Sequence, residues 1–491
     1  MRNIVILGAG PCGLSAAWEL SRNGYRVTVI EKEPQVGGLC RTISYKGFRF
    51  DLGGHRFISR SQELIRKIQQ LMPDELLLKE RKSATRFKGR TYPYPLSAKD
   101  ILTKLPLSIS LRSLSDYLKV SLKQRFNPLP EVTFQDWALN RFGRSLYELF
   151  FRSYTEKFWG ISADELSAEW AAQRIPVFGL RKEKCQTYAR YFYYPKQGIG
   201  QIFEYIAKEV ISRQGIIHLN ASSSEIIIEA QRVKAVAFLQ NSRKPQGSGL
   251  ASDSQSHKRY IDCDYLISTI PLPELVSQVM ALAKWKAKPL PCRLNGSNDG
   301  QLKAQADNLR FRSVRFLNLL IDEPQISSNT WTYVPEKRYL FTRIQEPKLR
   351  SPFNAPPGKT SLILEIPCNF QDALWNAPDE QIYQRAVSDL SLLGIELKDK
   401  VMDYFSTRVE YGYPVYALGY ANHKQNLLQE LSGYKNLISA GRQGLFRYLF
   451  MDQAMEMGGR LAEQIIKDAP AQGYIDNLSQ ERELIEGKAV V

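Results

Sequence analysis

A glycine-rich turn near the N-terminus constrains this chain most. Gly8 ends the short apolar run NIVILG (3–8), Gly10 follows it, and Gly13 lies at the start of a segment with helical periodicity over 12–23. A strand, a tight glycine turn and a helix in this order predict the first unit of a doubly wound parallel sheet, and the run YRVTVIEK predicts its second strand. The N-terminal part is therefore expected to be a Rossmann-like α/β domain.

Each glycine of this turn has a physical task in a dinucleotide site. Gly8 permits the tight turn, Gly10 lets the backbone approach a pyrophosphate, and Gly13 allows the helix to pack closely on the strand. The helix N-terminus offers free amides and a partial positive charge to the phosphates. Glu31 ends the second strand, where its carboxylate is placed to accept a hydrogen bond from the adenosine ribose. The spacing predicts a bound dinucleotide.

The next segment favours FAD over NAD. The run VGGLCRT places Gly38 and Arg41 beyond Glu31, an arrangement similar to that of many FAD enzymes. A surface hairpin would explain the glycines but not Arg41. We therefore expect a flavoenzyme rather than a nicotinamide dehydrogenase.

The length of the chain, 491 residues, exceeds one ordinary hydrophobic core and predicts interleaved domains. A helical plus antiparallel-sheet substrate domain is expected to interrupt the FAD-binding domain. The predicted parts are FAD-binding segments at 1–75, 201–275 and 411–470, a mainly helical substrate domain at 76–200, a substrate-domain sheet at 276–410 and a polar tail at 471–491. Two polar stretches without periodicity, 241–259 and 284–308, predict surface loops.

The net charge of the chain limits the kinds of molecule that it is expected to bind. A net charge of +17 favours an anionic partner, which could be nucleic acid, an anionic membrane or a phosphate-bearing substrate. No dense basic block and no zinc-finger, RRM or KH signature is present, which argues against nucleic acid. The six cysteines lack metal-ligand spacing, so reduced thiols and no metal site are predicted. With no signal peptide or long apolar run, we expect a cytoplasmic protein; peripheral membrane contact and oligomeric state stay open.

Later motifs resemble the flavin amine oxidase and protoporphyrinogen oxidase superfamily, and within it most closely the UDP-galactopyranose mutases. The motifs are YKGFRFDLGGHRFIS (45–59), SYTEKFWGISADELSAEWAAQRIP (153–176) and AGRQGLFRYLFMDQAMEMG (440–458). The resemblance spans most of the chain. It implies an FAD-dependent enzyme acting on a small molecule.

The resemblance also implies roles for individual residues. Around the cofactor it places Gly53, Gly54, His55, Gly441, Arg442, Met451 and Asp452. Around a nucleotide-sugar substrate it places Phe150, Tyr154, Thr155, Trp159, Phe341 and Tyr413, with Arg174 and Arg312 gripping the diphosphate. Guanidinium groups suit that role because they present planar, bidentate donors to phosphate oxygens. Catalytic roles are expected for His55, Arg174, Arg312 and Arg442.

Two departures from the mutase pattern leave the substrate more open than the cofactor. Ile58 stands where bacterial mutases carry a second histidine, and Phe341 stands where they usually carry tyrosine. The resemblance implies interconversion of the pyranose and furanose forms of a nucleotide-diphosphate sugar through a flavin N5 adduct. The alternative is an oxidoreductase of the amine oxidase or protoporphyrinogen oxidase type, which transfers hydride from substrate to FAD. A non-catalytic binding protein of the same fold is a remote third reading, because the dinucleotide fingerprint is intact.

Overall fold

The computed structural model describes residues 2–94, 107–127, 129–174, 189–240, 257–285 and 299–468. Its strands are β1 (Asn3–Leu7), β2 (Arg26–Ile30), β3 (Thr42–Tyr45), β4 (Phe48–Asp51), β5 (Leu76–Glu80), β6 (Ser83–Phe87), β7 (Arg90–Pro93), β8 (Tyr191–Pro195), β9 (Ile216–His218), β10 (Ala221–Glu229), β11 (Arg232–Gln240), β12 (His257–Asp262), β13 (Tyr265–Ser268), β14 (Phe311–Ile321), β15 (Trp331–Tyr333), β16 (Arg343–Gln345), β17 (Thr360–Cys368), β18 (Val401–Pro414) and β19 (Leu437–Ser439). Its helices are α1 (Pro11–Arg22), α2 (Gln62–Leu71), α3 (Leu107–Phe126), α4 (Phe134–Leu146), α5 (Ser153–Trp159), α6 (Ala168–Arg174), α7 (Gln201–Ser212), α8 (Leu272–Trp285), α9 (Asp299–Asp307), α10 (Ala373–Asn376), α11 (Asp379–Leu392), α12 (Tyr420–Leu431), α13 (Gly441–Gly444) and α14 (Met451–Ile466). A π-helical turn, Tyr147–Arg152, joins α4 to α5.

A five-stranded parallel sheet carries the N-terminal motif. Its strand order is β19-β13-β1-β2-β9, and β1 is almost wholly buried, as expected for a strand covered on both faces. Helices α1 and α14 cross in close contact at Gly458. A Cβ added there would lie 2.1 Å from the Cys12 carbonyl oxygen. This sheet and its helices confirm the predicted Rossmann-like α/β domain.

A seven-stranded, largely antiparallel sheet is the second large sheet of the fold. Its order is β18-β14-β17-β16-β15-β6-β7, and every residue of β17 is buried. The two sheets draw their strands alternately from the chain, so the substrate-side elements interrupt the parallel sheet. Strands β6 and β7 belong to the second sheet although they fall in the stretch predicted to be mainly helical. The domain boundaries themselves stay a prediction.

Two predicted loops are wrong in part. The predicted loop 284–308 contains helix α9, which buries Leu302 and Ala306 four residues apart on one helical face. The predicted loop 241–259 overlaps the start of β12, whose residues pair with β11. Residues 284 and 285 belong to helix α8, whereas 241–256, 286–298 and the predicted tail lie outside the described residues. Along the described part of the chain, no helix combines the length and apolar character needed to cross a membrane.

Candidate active site

A cavity of about 470 Å³ opens at the carboxyl ends of β1, β2, β13 and β19. This is the edge at which open α/β sheets bind ligands. Thirteen residues predicted from the sequence line the cavity: Gly8, Gly10, Glu31, Gly38, Arg41, Gly53, Gly54, His55, Tyr413, Gly441, Arg442, Met451 and Asp452. The fold therefore brings together segments that lie more than 400 residues apart in the chain.

The three motif glycines differ in what surrounds them. Gly8 has a φ of +97°, and an added Cβ there would lie 2.4 Å from the Thr269 Oγ1 atom. An added Cβ at Gly13 would lie 2.1 Å from the Gly8 carbonyl oxygen. At Gly10, by contrast, an added Cβ would have no described atom within 4 Å apart from its chain neighbours. Gly8 and Gly13 thus serve the protein's own packing, whereas Gly10 leaves space for phosphate at the start of α1.

Glu31 and Arg41 tie two loops together beside this space. The Glu31 carboxylate accepts hydrogen bonds from the Ala9 amide at 2.7 Å and the Glu33 amide at 2.9 Å. Burial raises the pKa of Glu31, and these two amides oppose that rise. Arg41 Nη2 lies 3.1 Å from Glu33 Oε2, and Arg41 Nη1 donates to the Gly38 carbonyl oxygen at 3.2 Å. These contacts fix the turn at Ala9 and the segments at Glu33 and Gly38 on this side of the cavity.

His55 lies at the opposite end of the cavity, after the sharp turn at Gly53. Burial, followed by the charges of Arg350, Arg442 and Arg343, lowers the pKa of His55 to about 3. The imidazole is therefore neutral at physiological pH. Its Nδ1 atom is buried and has no hydrogen-bond partner among the described residues, so it is free to bond to a ligand.

Arg442 packs beside two stacked tyrosine rings, whose centroids lie 5.8 Å apart. Its guanidinium carbon is 4.8 Å from the Tyr413 ring centroid and 4.2 Å from the Tyr448 ring centroid. Its Nη2 atom donates to the Gly412 carbonyl oxygen at 2.8 Å. These contacts hold a cation against the cavity wall beside the His55 region.

The sequence profile of flavin-containing amine oxidoreductases matches residues 11–466. This chain belongs to that family. It is an FAD-dependent enzyme, and the open space at Gly10 beside the α1 N-terminus fits the cofactor's phosphates. When FAD is present, Gly10, Glu31 and Arg41 would hold its dinucleotide half, and Gly53, His55 and Arg442 would face its flavin half.

Individual relatives point to more than one activity. A Klebsiella pneumoniae protein described as "Probable UDP-galactopyranose mutase" is 27% identical over 184 residues, covering 36% of this chain and 45% of the relative. A 4,4'-diapophytoene desaturase from Methylomonas is 25% identical over 281 residues, covering 48% and 50%. The chain thus spans no more than half the length of these curated relatives. A crystal structure of reduced UDP-galactopyranose mutase has a TM-score of 0.80 at 22% identity, covering 99% of this chain and 97% of the other, and so shares its fold.

A buried ion pair in this flavoenzyme was missed from the sequence. Glu365 is completely buried, and its Oε2 atom lies 3.2 Å from Arg343 Nε. The Tyr413 hydroxyl donates to Glu365 Oε1 at 3.2 Å. Burial lowers the pKa of Arg343, but the Glu365 carboxylate outweighs it and raises that pKa well above its usual value. The signal was available, because Glu365 interrupts the otherwise apolar run TSLILEIP.

An aromatic cluster, comprising Tyr154, Phe158, Trp159, Trp170 and Tyr413, adjoins the cavity. The Phe158 ring lies 5.9 Å from Tyr154, 5.1 Å from Trp159 and 4.8 Å from Tyr413, measured between ring centroids. Tyr413 is the member that lines the cavity. It therefore connects the predicted nucleotide-binding aromatics on α5 to the flavin side of the site.

Other predicted substrate residues lie away from the cavity lining. Phe341 is fully buried in the core beneath the seven-stranded sheet, and Thr155 is also buried. Phe150 packs on Phe87, with ring centroids 5.4 Å apart. The side chain of Arg174 lies outside the described part of the structure. The substrate roles of these residues stay predictions.

Arg312 is bound to the protein itself. Its Nε atom donates to the Phe158 carbonyl oxygen at 2.9 Å, and its Nη1 atom donates to Asn369 Oδ1 at 2.5 Å. It packs against Gly160, where an added Cβ would lie 2.5 Å from Nη1. Arg312 thus caps the end of α5, and its predicted grip on a diphosphate would require some of these bonds to be exchanged.

Lys157, within the motif that suggested the substrate pocket, ties α5 to the second sheet. Its Nζ atom donates to the carbonyl oxygens of Val334, Glu336 and Phe341 at 3.1, 3.0 and 2.6 Å. Burial lowers the pKa of Lys157 to about 7. Only the tertiary structure shows this role, because its three partners are backbone groups.

Proposed function

We propose that this flavoenzyme interconverts the pyranose and furanose forms of a nucleotide-diphosphate sugar. The observation that carries the proposal is the concentration of guanidinium groups beside an aromatic cluster at the flavin end of the cavity. Arg56, Arg343 and Arg442 line the cavity, and Glu365 pairs with Arg343. This arrangement suits a substrate that carries both negative charge and a stackable base.

The charges at this end have distinct tasks in the proposal. Neutral His55 adds no positive charge, so attraction of the diphosphate rests on the arginines. Arg442 is held beside Tyr413 and Tyr448, and a fixed cation stabilises negative charge that builds up on a departing diphosphate without first having to reorganise. Phe150 and Tyr154 would stack near the base and Trp159 would border it, with Tyr413 between the base and the flavin. Bound reduced FAD supplies the nucleophile toward the anomeric carbon.

The comparisons support the proposal in two ways. The whole-chain similarity to the mutase structure supports the proposal, because the two proteins share a fold. The Klebsiella relative adds sequence similarity over about a third of this chain. Arg174 and Arg312 remain the proposed diphosphate ligands on the substrate side.

A direct assay tests the proposal. Dithionite-reduced enzyme is incubated with UDP-galactofuranose or UDP-galactose, and the products are separated by chromatography. We expect interconversion with reduced enzyme and none with oxidised enzyme. Arg174→Ala should lower turnover at least tenfold, whereas Arg213→Ala, a matched loss of an exposed charge directly after α7, should leave turnover unchanged. Absence of both interconversion and UDP binding would refute the proposal for UDP sugars, and GDP and dTDP sugars are screened in the same assay.

The second candidate is an FAD-dependent oxidoreductase that takes hydride from its substrate. The observation that favours it is the match to a carotenoid-type desaturase over nearly half of this chain. This activity predicts bleaching of the oxidised flavin near 450 nm by substrate alone, without dithionite. It also predicts that Arg174→Ala leaves activity largely intact, so the two candidates give opposite results in the same pair of assays.

A further inference from the structure

Helix α3 presents a row of leucines to solvent. The leucine stripe consists of Leu107, Leu111, Leu114, Leu118 and Leu122, with exposed fractions of 72%, 58%, 42%, 52% and 59%. Phe126 follows at the end of the helix and is 80% exposed. On the side that faces the protein, Ser110 and Ser113 are each only 2% exposed, and Ile109 packs on the hydrophobic core. The helix nevertheless exposes its leucine row, whereas an ordinary surface helix buries its apolar stripe.

The rotation of α3 is held by polar contacts with α4. Asp116 Oδ2 accepts from the Ser145 amide at 3.0 Å and from the Ser145 hydroxyl at 2.5 Å. Gly143 interrupts α4 with a φ of +74°, and an added Cβ there would lie 2.8 Å from Asp116 Cβ. The hydrogen bond from Ser145 lowers the pKa of Asp116, so the carboxylate stays ionised in this contact. The outward position of the leucines thus follows from specific contacts on the inner face.

Basic side chains border the stripe. At 100° per residue, Arg112, Lys119 and Lys123 lie along one edge of the leucine row, and Arg125 lies in the last turn. All four are exposed. Asp116, the acidic residue of this helix, faces inward toward Ser145. The outer surface of α3 is therefore apolar and cationic together.

The combination of exposed leucines and basic side chains on α3 favours a lipid surface over a second copy of the chain. If a second copy paired its α3 in antiparallel fashion, the basic edge of one helix would face the basic edge of the other, and like charges at such spacing repel. An anionic phospholipid surface offers both an apolar boundary for leucine and negative headgroups for lysine and arginine. We propose that α3 lies on an anionic lipid bilayer, with the leucine stripe inserted at the headgroup boundary.

Vesicle binding by the full-length, FAD-loaded protein tests this proposal. Sedimentation with phosphatidylcholine vesicles is compared with vesicles containing 30% phosphatidylglycerol, at 50 and 300 mM NaCl. We expect at least tenfold stronger binding to the anionic vesicles at low salt, and at least a tenfold loss at high salt because screening weakens the lysine and arginine contacts. Equal binding to both vesicle types, or no binding, would overturn the proposal.

Substitutions in α3 test whether the leucine stripe, rather than other exposed apolar residues, binds the vesicles. Leu111→Gln/Leu118→Gln should reduce anionic-vesicle binding at least tenfold, and Lys119→Glu/Lys123→Glu should do the same with the leucines intact. The control Ile211→Gln/Leu392→Gln removes two apolar side chains that are 56% and 69% exposed on other helices and should bind within twofold of the wild type. Flavin content and melting temperature report folding. A dimer in light scattering that the stripe substitutions dissociate would assign the stripe to a second copy and overturn the membrane proposal.

Discussion

The part of the cavity predicted to bind the dinucleotide differs from the aromatic cluster in origin. Local sequence determines the first, whereas the second depends on tertiary packing. Gly8, Gly10, Glu31, Gly38 and Arg41 come from one short stretch, and all line the cavity. The predicted substrate residues come from the stretch 150–174 and from Arg312, Phe341 and Tyr413, which lie far from that stretch and from one another in the chain. Of those whose side chains are described, Tyr413 lines the cavity, while the others pack on one another or in the core. A contiguous motif carries its own geometry, whereas a pocket assembled from distant segments depends on how those segments pack.

The largest expected effect separates two glycines of the same motif. Gly13→Ala would force a methyl group against the Gly8 carbonyl oxygen, so we expect a loss of about 3 kcal/mol or more in the free energy of unfolding and little bound flavin. Gly10→Ala has room for its methyl group and an extended backbone at this position. It should change the unfolding free energy by no more than about 0.5 kcal/mol yet weaken FAD binding at least tenfold. Urea denaturation and FAD titration measure both quantities, and unchanged FAD affinity in Gly10→Ala would place the pyrophosphate elsewhere.

The next effect concerns the ion pair that lies between the two regions. Arg343→Met would leave the fully buried Glu365 carboxylate without its cation, and we expect a loss of about 3–5 kcal/mol in unfolding free energy. Arg343→Met/Glu365→Gln removes the stranded charge and should recover at least half of that loss. Urea denaturation of both variants at neutral pH provides the comparison. Equal losses in the single and double variants would mean that packing, rather than charge, accounts for the effect.

Substitution of Arg312 shows whether this residue mainly stabilises the end of α5 beside the aromatic cluster or mainly binds the substrate diphosphate. Arg312→Gln removes charged hydrogen bonds to the end of α5, so we expect the unfolding free energy to fall by about 2–3 kcal/mol. The exposed Arg338→Gln serves as the matched control. UDP affinity is measured in parallel by flavin fluorescence. A tenfold loss of UDP affinity with unchanged stability would instead assign Arg312 mainly to the diphosphate.

The smallest effect, about 2 kcal/mol as the pH falls from 6.5 to 5, is a pH dependence arising at His55. Its folded-state pKa of about 3 lies below the ordinary value of 6.5, so the unfolded chain binds more protons between these values. Stability attributable to neutral His55 is therefore present above pH 6.5 and is lost as pH falls toward 3, by up to about 1.4 kcal/mol per pH unit. His55→Asn should show a shallower decline between pH 6.5 and 5 in thermal or urea denaturation. Parallel profiles for wild type and variant would contradict the assigned shift.

Sequence reasoning succeeded where a motif and its ligand geometry share one stretch of backbone. The glycine turn, Glu31 and the helix starting at Met451 required only strand, turn and helix periodicities. The loop predicted at 284–308 was wrong at α9, because burial of two apolar side chains stabilises a helix there despite the polar composition. Arg343 and Glu365 escaped notice because a buried charge is recognised by its partner, and that partner lies 22 residues away on another strand.

The sequence alone determined the Rossmann-like domain, the dinucleotide turn and the flavoenzyme family, because these depend on local backbone conformation and on residue types at fixed spacing. The tertiary structure decided that Tyr413 joins the aromatic cluster to the cavity, that Arg312 caps α5, and that α3 turns its leucines outward. Those outcomes depend on which surfaces meet after folding. Periodicity can predict that a helix has two faces, but contacts such as the one between Asp116 and Ser145 select the face that is buried.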